Sequence, residues 1–290
     1  MNVRQYEYAL TVAEEGSITA AAERLGLTQP SLSQQIGALE KQVGARLFTR
    51  TRQGMTPTVA GRAFLAEAEV AATASRRAFA AARAADGDLT GEMIIAVHMG
   101  LGTRQLPRAL GELRRRHPRL QVTIHEEPDP ADMERLARQG ILDMLLVHDV
   151  PPGCTFDVHM LGTESYVAVL PQDHPLLRRH EPLLLEDLAA EGWVRYKRTS
   201  RLDEYLAGLL SGHGLAPSTV GRASQISTAV RLVSEGLGVT IAPSSAVPDG
   251  FERLIRPLLP ALSAPVIAGV RRTPGRAESA LLDQLNGQHW

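Results

Sequence analysis

The chain has 290 residues, which exceeds the roughly 150 residues of a typical domain, so we expect about two domains. Its composition, 44% hydrophobic and 22% charged residues, is that of a globular protein, and its net charge of −1 gives no overall basic character. The single cysteine, Cys154, excludes internal disulfide bonds and multi-cysteine zinc sites. Neither a membrane-spanning run nor a signal peptide is visible, so we expect a cytoplasmic protein that binds no metal or cofactor.

Three short helices are predicted at the start of the chain. Apolar residues at helical spacing indicate the first helix over residues 3–14. Ser17 can cap the second helix, which ends at Gly26. Thr28 can cap the third helix, and Pro30 is tolerated in its first turn because the amides there lack intrahelical partners. The third helix is expected to bury one stripe of side chains, formed by Leu32, Ile36, Leu39 and Val43.

A small wing and a long helix are predicted next. Residues 47–50 and 55–56 are interpreted as two short strands around a turn at Gln53-Gly54. The following helix, residues 58–85, would be about 42 Å long at 1.5 Å per residue. Its alanine-rich face needs a partner, so we interpret it as a linker and dimerisation helix. The turn-forming residues 86–88 indicate a domain boundary.

Beyond residue 88 the pattern changes to alternating strands and helices. The first set has strands at 93–97, 121–125 and 144–147 and helices at 104–116 and 130–139. The second set has strands at 166–170, 193–196, 220–223 and 239–242 with helices at 201–213 and 228–235, before a strand at 266–270 and a helix at 278–285. Such alternation is typical of a parallel sheet. Two α/β halves in series indicate a cleft between them, where ligands usually bind.

Residues 16–36 have the pattern of a helix-turn-helix. Ala22 is small where the two helices cross, and Gly26 permits the positive φ of the tight turn. The apolar stripe leaves a polar face on the third helix, formed by Gln29, Pro30, Ser33, Gln34, Gly37 and Lys41. Glutamine can pair with adenine and serine can pair with several bases, so this face suits the major groove of duplex DNA.

The segment between Glu40 and Glu67 is locally basic. It contains no acidic residue and five basic ones, Lys41, Arg46, Arg50, Arg52 and Arg62. Such a stretch can neutralise several phosphates even in a chain of balanced charge. A solvated surface without a ligand is the alternative interpretation, and Arg46 could equally form a structural ion pair.

The N-terminal sequence closely resembles the DNA-binding domain of LysR-type transcriptional regulators. The resemblance is carried by SITAAAERLGLTQPSLSQQIGALEKQVGARLFTR at residues 17–50 and GMTPTVAG at residues 54–61, and it covers residues 1–62 without a gap. The segment LVSEGLGVTIAP at residues 232–243 resembles the family's C-terminal domain. The resemblance implies an α/β protein with an all-α winged helix-turn-helix, a long linker helix, and a two-subdomain effector domain like a periplasmic solute-binding protein.

The expected boundaries follow from this resemblance. The winged helix-turn-helix would occupy residues 1–58, the linker helix 59–88 and the effector domain 89–290. Within the effector domain, subdomain I would comprise residues 89–162 plus 266–290, and subdomain II residues 163–265. A peroxide-sensing disulfide, which some members of the family form, is excluded because Cys154 has no second cysteine to pair with.

The resemblance also implies which residues contact DNA. Gln29, Pro30, Ser31, Ser33 and Gln34 would lie in the groove. Arg50 and Arg52 would lie on the wing near the sugar-phosphate backbone, and Lys41 is placed to reach a phosphate. Ser17 and Thr28 are counted as further candidates. For Thr28 and Ser31, helix capping alone is an equally good interpretation.

In this family a small-molecule inducer binds between the two subdomains. By position, the candidate contacts in this chain are Gly100, Leu101, Gly102, Thr103, His148, Thr199, Ser200, Arg201, Gln225, Ile226 and Ser227. Helix N-termini behind Thr103 and Ser227 would favour an anion, as would the basic residues at 195, 197, 198 and 201. Thr103 and Ser227 could instead be plain helix caps, and His148 a hydrogen-bonded loop residue.

Three other classes of protein were considered. An enzyme is disfavoured because the sequence lacks GxGxxG, GxxxxGKS/T, GxSxG and HExxH motifs, and its nine histidines show no ligand spacing. A transporter's solute-binding protein is disfavoured by the N-terminal DNA-binding pattern. An architectural DNA binder would not need a second α/β domain.

The preferred hypothesis is a homodimer or homotetramer that reads an inverted-repeat operator in double-stranded DNA, responds to an effector and can act on RNA polymerase.

Overall fold

The computed structural model describes residues 2–51, 54–84, 89–126, 130–150 and 156–290. The chain divides into two compact units, one of Met1–Glu92 with Gln139–Ile141 and one of Met93–Arg138 with Leu142–Trp290. The predicted boundary at 86–88, the wing turn at 52–53 and Cys154 lie outside the described residues. Within the described part, no helix is both long and apolar enough to cross a membrane.

The first unit contains four helices and a two-stranded wing. The helices are α1 (Val3–Glu15), α2 (Ile18–Leu25), α3 (Gln29–Val43) and α4 (Val59–Ala84), and the antiparallel strands are β1 (Phe48–Thr51) and β2 (Gly54–Pro57). All six predicted elements are confirmed to within a few residues. The first three helices each end at a glycine in the left-handed conformation, which a residue with a Cβ rarely adopts.

One apolar core holds the helix-turn-helix together. It includes Leu32, Ile36 and Leu39 of α3, so three of the four predicted stripe residues are buried. The fourth, Val43, is the last residue of the helix before Gly44 and is 37% exposed. At Gly61, an added Cβ would lie 1.9 Å from the backbone oxygen of Leu47. Only glycine lets α4 approach the wing so closely.

The second unit is a mixed α/β domain. Its strands are β3 (Gly91–Val97), β4 (Leu120–Glu126), β5 (Met144–Val147), β6 (Phe156–Val169), β7 (Leu183–Leu184), β8 (Trp193–Tyr196), β9 (Thr219–Ala223), β10 (Thr240–Pro243), β11 (Ile255–Leu259) and β12 (Ser263–Arg271). Its helices are α5 (Gln105–Arg116), α6 (Pro130–Arg138), α7 (Arg201–Gly212), α8 (Ile226–Ser234) and α9 (Arg276–Asn286).

The expectation of a parallel sheet is confirmed for β3 and β5 but is wrong for the sheet as a whole, which is mixed. The main sheet has the order β4-β3-β5-β12-β6-β11-β7, with β10 also paired to β6. β3 and β5 are parallel, but β12 runs antiparallel to both β5 and β6. The two long strands β6 and β12 run through the middle of the domain as an antiparallel pair, and the chain that connects them contains α7 and α8.

Two lobes flank these long strands. Lobe I contains β3, β4 and β5 with α5 and α6, and lobe II contains β8, β9 and β10 with α7 and α8. In lobe II, Trp193 and Tyr196 are fully buried, and the Tyr196 hydroxyl donates to the carbonyl oxygen of Ile241 at 3.0 Å. Because both lobes are built on the same pair of strands, the space between them is framed by the ends of β3 and β5 on one side and by α7 on the other.

Candidate functional site

The outer face of α3 is polar and open. Gln29, Pro30, Ser33, Gln34 and Lys41 are exposed and Ser31 is half-buried, on the side opposite the buried apolar stripe. A partner can therefore contact this face without any change in the fold of the first unit. Whether its side chains read bases stays a prediction.

The predicted caps of the helix-turn-helix are present. The Ser17 hydroxyl accepts a hydrogen bond from the amide of Ala20, and the Thr28 hydroxyl accepts one from the amide of Ser31, both at 3.4 Å. Both hydroxyls thus satisfy helix N-termini in the protein alone. Their further role as DNA contacts is not required by the fold and stays a prediction.

Exposed cations lie on α3 and on the segments that follow it in the chain. Lys41, Arg46, Arg50 and Arg62 are all exposed, and none of them forms an ion pair within the described residues. Among the described residues, Arg46 therefore lacks the structural ion pair that was its alternative interpretation, and Arg52 is not itself described. The nearby carboxylate of Glu40 turns inward, where it accepts from the amides of Leu47 and Phe48 at 2.7 and 3.0 Å. The surface is consequently left with uncompensated positive charge.

A cavity of about 460 Å³ lies between the two lobes of the second unit. Lobe I contributes residues that directly follow β3 and β5, and lobe II contributes successive turns of α7. The lining comprises His98, Met99, His148, Asp149, Tyr166, Arg201, Leu202, Glu204, Tyr205, Gly208, Leu209 and Ala264. Its size is in the range of small-molecule sites.

Two of the eleven predicted effector contacts, His148 and Arg201, line this cavity. Ser200 is buried and caps α7, accepting from the amide of Leu202 at 3.2 Å, while Thr199 is exposed. Gly100 and Ile226 lie against each other, since an added Cβ at Gly100 would be 3.4 Å from the Ile226 side chain. The turn at residues 100–103 and the start of α8 therefore form a neighbouring group rather than the cavity wall.

The predicted capping roles of Thr103 and Ser227 are wrong. The N-cap of α5 is Arg104 and that of α8 is Gln225, and neither makes a side-chain cap hydrogen bond. The hydroxyl of Thr103 donates to the carbonyl oxygens of Gly100 and Ser245, at 2.6 and 3.3 Å. Each helix begins one or two residues away from the predicted position, which moves these hydroxyls off the capping site.

Two of the four basic residues expected near the cleft, Arg195 and Arg201, are paired with carboxylates. Arg195 is buried and donates to the Asp203 carboxylate at 2.8 Å, and Arg222 donates to the same carboxylate at 3.0 Å. These bonds fix the start of α7 against β8 and β9. Arg201 is paired with Asp149, and with Glu204 at 3.2 Å. The cavity therefore presents no isolated cation among these three arginines.

Sequence reasoning missed ten of the twelve lining residues. Some of the missed residues could have been recognised from the sequence. His98 directly follows β3, just as His148, which was predicted, directly follows β5. On α7, Arg201, Tyr205 and Gly208 recur at helical spacing, which places them on one face of the helix. Tyr166 and Ala264 had no such signal, since they enter the cavity only through the antiparallel pairing of β6 with β12.

The two histidines of the cavity have defined hydrogen bonds. Nδ1 of His98 accepts from the backbone amide of His148 at 3.1 Å. Nδ1 of His148 lies 2.9 Å from the carbonyl oxygen of Pro265, which can only accept, so this nitrogen carries a proton. Burial, with added repulsion from His148, lowers the pKa of His98 to about 4. His98 is therefore neutral near pH 7, with its proton on Nε2.

Aromatic rings form the opposite wall. Tyr166 and Tyr205 stack with ring centroids 5.2 Å apart, and Tyr166 also contacts the His148 ring at 6.3 Å. Burial raises the pKa of both tyrosine hydroxyls, so both remain protonated at neutral pH. The cavity thus combines a broad aromatic surface with two imidazoles and one compensated ion-pair group.

A winged helix-turn-helix followed by a long helix and a two-lobed α/β domain defines the class of ligand-responsive transcriptional regulators. The family model described as "Bacterial regulatory helix-turn-helix protein, lysR family" matches residues 3–62, and "LysR substrate binding domain" matches residues 86–289. The chain belongs to the LysR family of DNA-binding transcriptional regulators. Its members are regulators and not enzymes, and the resemblance noted in the sequence is confirmed.

Characterised and uncharacterised relatives agree with this assignment. The chain is 33% identical over 250 residues to the uncharacterised regulator YnfL of Escherichia coli K12, covering 84% of this chain and 83% of that one. It is 30% identical over 249 residues to AlsR of Bacillus subtilis 168, covering 85% and 82%.

Solved structures share the fold. A full-length OxyR variant from Pseudomonas aeruginosa superposes with a TM-score of 0.74 at 22% identity, covering 99% of this chain and 95% of that chain. Full-length CbnR in complex with its target DNA superposes with a TM-score of 0.69 at 23% identity, covering 98% and 99%. The predicted fold class is therefore confirmed.

Proposed function

We propose that this regulator uses the outer face of α3 to read an operator and the cavity between its lobes to sense a small molecule. The observation that carries the proposal is the exposed polar face of α3, together with exposed cations that form no ion pair within the described residues. In this arrangement Gln29, Ser31, Ser33 and Gln34 meet base edges and Pro30 packs in the groove. Lys41, Arg50 and Arg52 meet phosphates, and Ser17 and Thr28 approach the backbone at the helix starts.

The cavity supports a role as effector site. It lies between two lobes that share only a pair of long strands, so a ligand that contacts both lobes favours one relative arrangement of them. His148 of lobe I and Arg201 of lobe II are the proposed contacts that already line it. The other proposed contacts would supply backbone amides and hydroxyls next to the cavity. They are Gly100, Leu101, Gly102 and Thr103, then Gln225, Ile226 and Ser227, and finally Thr199 and Ser200, which directly precede α7.

The long helix α4 supports assembly. It carries an exposed face of small residues, among them Ala63, Ala74, Ala78 and Ala81, which permits close approach of a second helix. Two copies paired in this way present two α3 helices to the half-sites of an inverted repeat. We propose a homodimer through α4 that forms a homotetramer through the second units, and a change in DNA bending on effector binding that RNA polymerase can detect.

Binding to DNA from the region upstream of its own gene tests the operator proposal. Gln34→Ala should weaken binding to a footprinted operator about tenfold, and binding to unrelated duplex much less, because one bidentate base contact contributes roughly 1–3 kcal/mol to discrimination. Gln42→Ala, an exposed glutamine farther along α3, is the matched control and should change neither. Fluorescence anisotropy measures both affinities. Equal loss on both DNAs would refute a reading role for Gln34.

A further inference from the structure

The ion pairs of the cavity disfavour a charged ligand. Arg201 is the lining cation, and its guanidinium is engaged by the carboxylates of Asp149 and Glu204. An anionic ligand would have to displace one of these carboxylates and then face the other. A cationic ligand would find both carboxylates already bound to the guanidinium. The ligand that leaves this arrangement intact is uncharged.

The apolar walls suit a flat ring. Tyr166 and Tyr205 are stacked within 30° of parallel, and they offer an aromatic surface that favours offset stacking of a further ring. Met99, Leu202 and Leu209 complete an apolar lining. On α7, Gly208 leaves the cavity open, because an added Cβ there would meet nothing within 4 Å.

The two imidazoles define the polar end. Both use Nδ1 for contacts within the protein, so the Nε2 atoms are the ones available to a ligand. With Nδ1 used in this way, Nε2 of His98 carries the proton and is a donor, and Nε2 of His148 is an acceptor when that ring holds a single proton. The ring centroids are 5.7 Å apart. A single hydroxyl group placed between them can accept from the first and donate to the second.

From these three features we propose that the effector is an uncharged aromatic compound bearing a hydroxyl group, a phenol in the broad sense. Its ring packs on Tyr205 and Tyr166, and its hydroxyl bridges His98 and His148. This inference rests on the proposed effector role of the cavity, and it replaces the anion that the sequence favoured with a neutral ligand. The low pKa of His98 keeps its Nε2 proton in place without adding charge throughout the neutral range.

Isothermal titration of the full chain with three matched probes tests the inference near neutral pH. The probes are 2-naphthol, 2-naphthoate and 2-methylnaphthalene, which share a ring system but differ in the polar group. We expect 2-naphthol to bind one molecule per chain, at least about tenfold more tightly than either other probe, because only the hydroxyl satisfies both imidazoles.

Variants of His98 test the roles of its two ring nitrogens separately. His98→Asn keeps an acceptor near the Nδ1 position but removes the Nε2 donor, and should weaken 2-naphthol binding about tenfold. His98→Gln places an amide donor near the Nε2 position and should retain more of the affinity than His98→Asn. His180→Asn, at an exposed histidine outside the cavity, is the control for the substitution itself and should bind as the wild type does.

The outcomes distinguish this inference from the effector role of the cavity. Tighter binding of 2-naphthoate than of 2-naphthol, or no binding of 2-naphthol, would overturn the inference. Gly208→Leu fills the cavity and should abolish binding of any probe that enters it. If 2-naphthol binds the wild type and Gly208→Leu equally well, the cavity is not its site and the inference fails. If another probe binds more tightly and Gly208→Leu abolishes its binding, the inference fails while the effector role of the cavity is supported.

Discussion

At the scale of single residues, His98 ties the stability of the second unit to pH. Its side chain is 6% exposed, and it is faced by His148, Asp149 and Arg201. Burial and repulsion from His148 lower its pKa from 6.5 to about 4. The unfolded chain therefore takes up a proton as the pH falls through 6.5, whereas the folded protein does so only near pH 4. The stability contributed by the neutral ring is complete above pH 6.5 and is lost as the pH falls towards 4.

This linkage can be measured. Going from about pH 7 to about pH 5, His98 should lower the free energy of unfolding by about 2 kcal/mol. His98→Asn cannot titrate but keeps an acceptor for the His148 amide, so the variant should lose about 2 kcal/mol less than the wild type over the same interval. Urea unfolding at both pH values, followed by a probe in the second unit, provides the comparison. An identical pH dependence in both proteins would contradict the assignment.

At the scale of elements, Glu40 connects the recognition helix to the wing. Its carboxylate accepts from the amides of Leu47 and Phe48, and both of these residues are buried. The contact fixes the wing relative to α3, and it removes a negative charge from the surface proposed to face DNA. Nothing about Glu40 in an isolated helix suggests this, since its partners lie seven and eight residues away, beyond the end of α3.

Removing this carboxylate should destabilise the first unit. Glu40→Ala leaves two buried amides without an acceptor, and we expect a loss of about 2–4 kcal/mol because each costs roughly 1–3 kcal/mol. Glu40→Gln retains one acceptor oxygen and should lose less. Chemical denaturation followed by a probe in the first unit measures the difference. The contact would be dispensable if both variants unfolded at the same denaturant concentration as the wild type.

The elements differ in how far the sequence could predict them. Helices α1 to α3 were predictable because each combines an apolar stripe with a cap and a terminal glycine. The first half of β6, residues 156–165, was missed because its side chains are mostly exposed or half-buried and show no clean alternation. The strands β7 and β11 were missed as well, since two and five residues give too short a pattern.

The residues of the cavity were also predictable only where a local sequence pattern places them. His148 and Arg201 were predictable because each is placed by the end or start of an element that the sequence defines. The stacking of Tyr166 on Tyr205 joins residues on β6 and α7 that no local pattern links. The pairing of Arg201 with Asp149 was equally invisible, and the uncharged ligand proposed above depends on it. Long-range contacts therefore determine the chemistry of this site, whereas local sequence patterns identify only the strand and helix ends that line it.

At the scale of the whole molecule, assembly should depend on the exposed face of α4. Ala74 and Ala78 lie one turn apart on that face, so Ala74→Glu with Ala78→Glu would bury like charges in a paired helix interface. We expect the wild type to be dimeric or larger at micromolar concentration and the double variant to dissociate. Ser75→Glu, on another side of the same helix, is the matched control and should leave the assembly intact. Size-exclusion chromatography with light scattering gives the masses.

Operator binding should fall together with assembly. A single winged unit reads one half-site, so the dissociated variant should lose affinity for a full inverted repeat while keeping the weak binding of one half-site. Anisotropy on full-site and half-site duplexes separates these two quantities. A wild-type protein that is monomeric at micromolar concentration, or a double variant that binds the full site as tightly as the wild type, would contradict the proposal. In either case, a part of the chain other than α4 would have to set the distance between the two α3 helices that contact the operator.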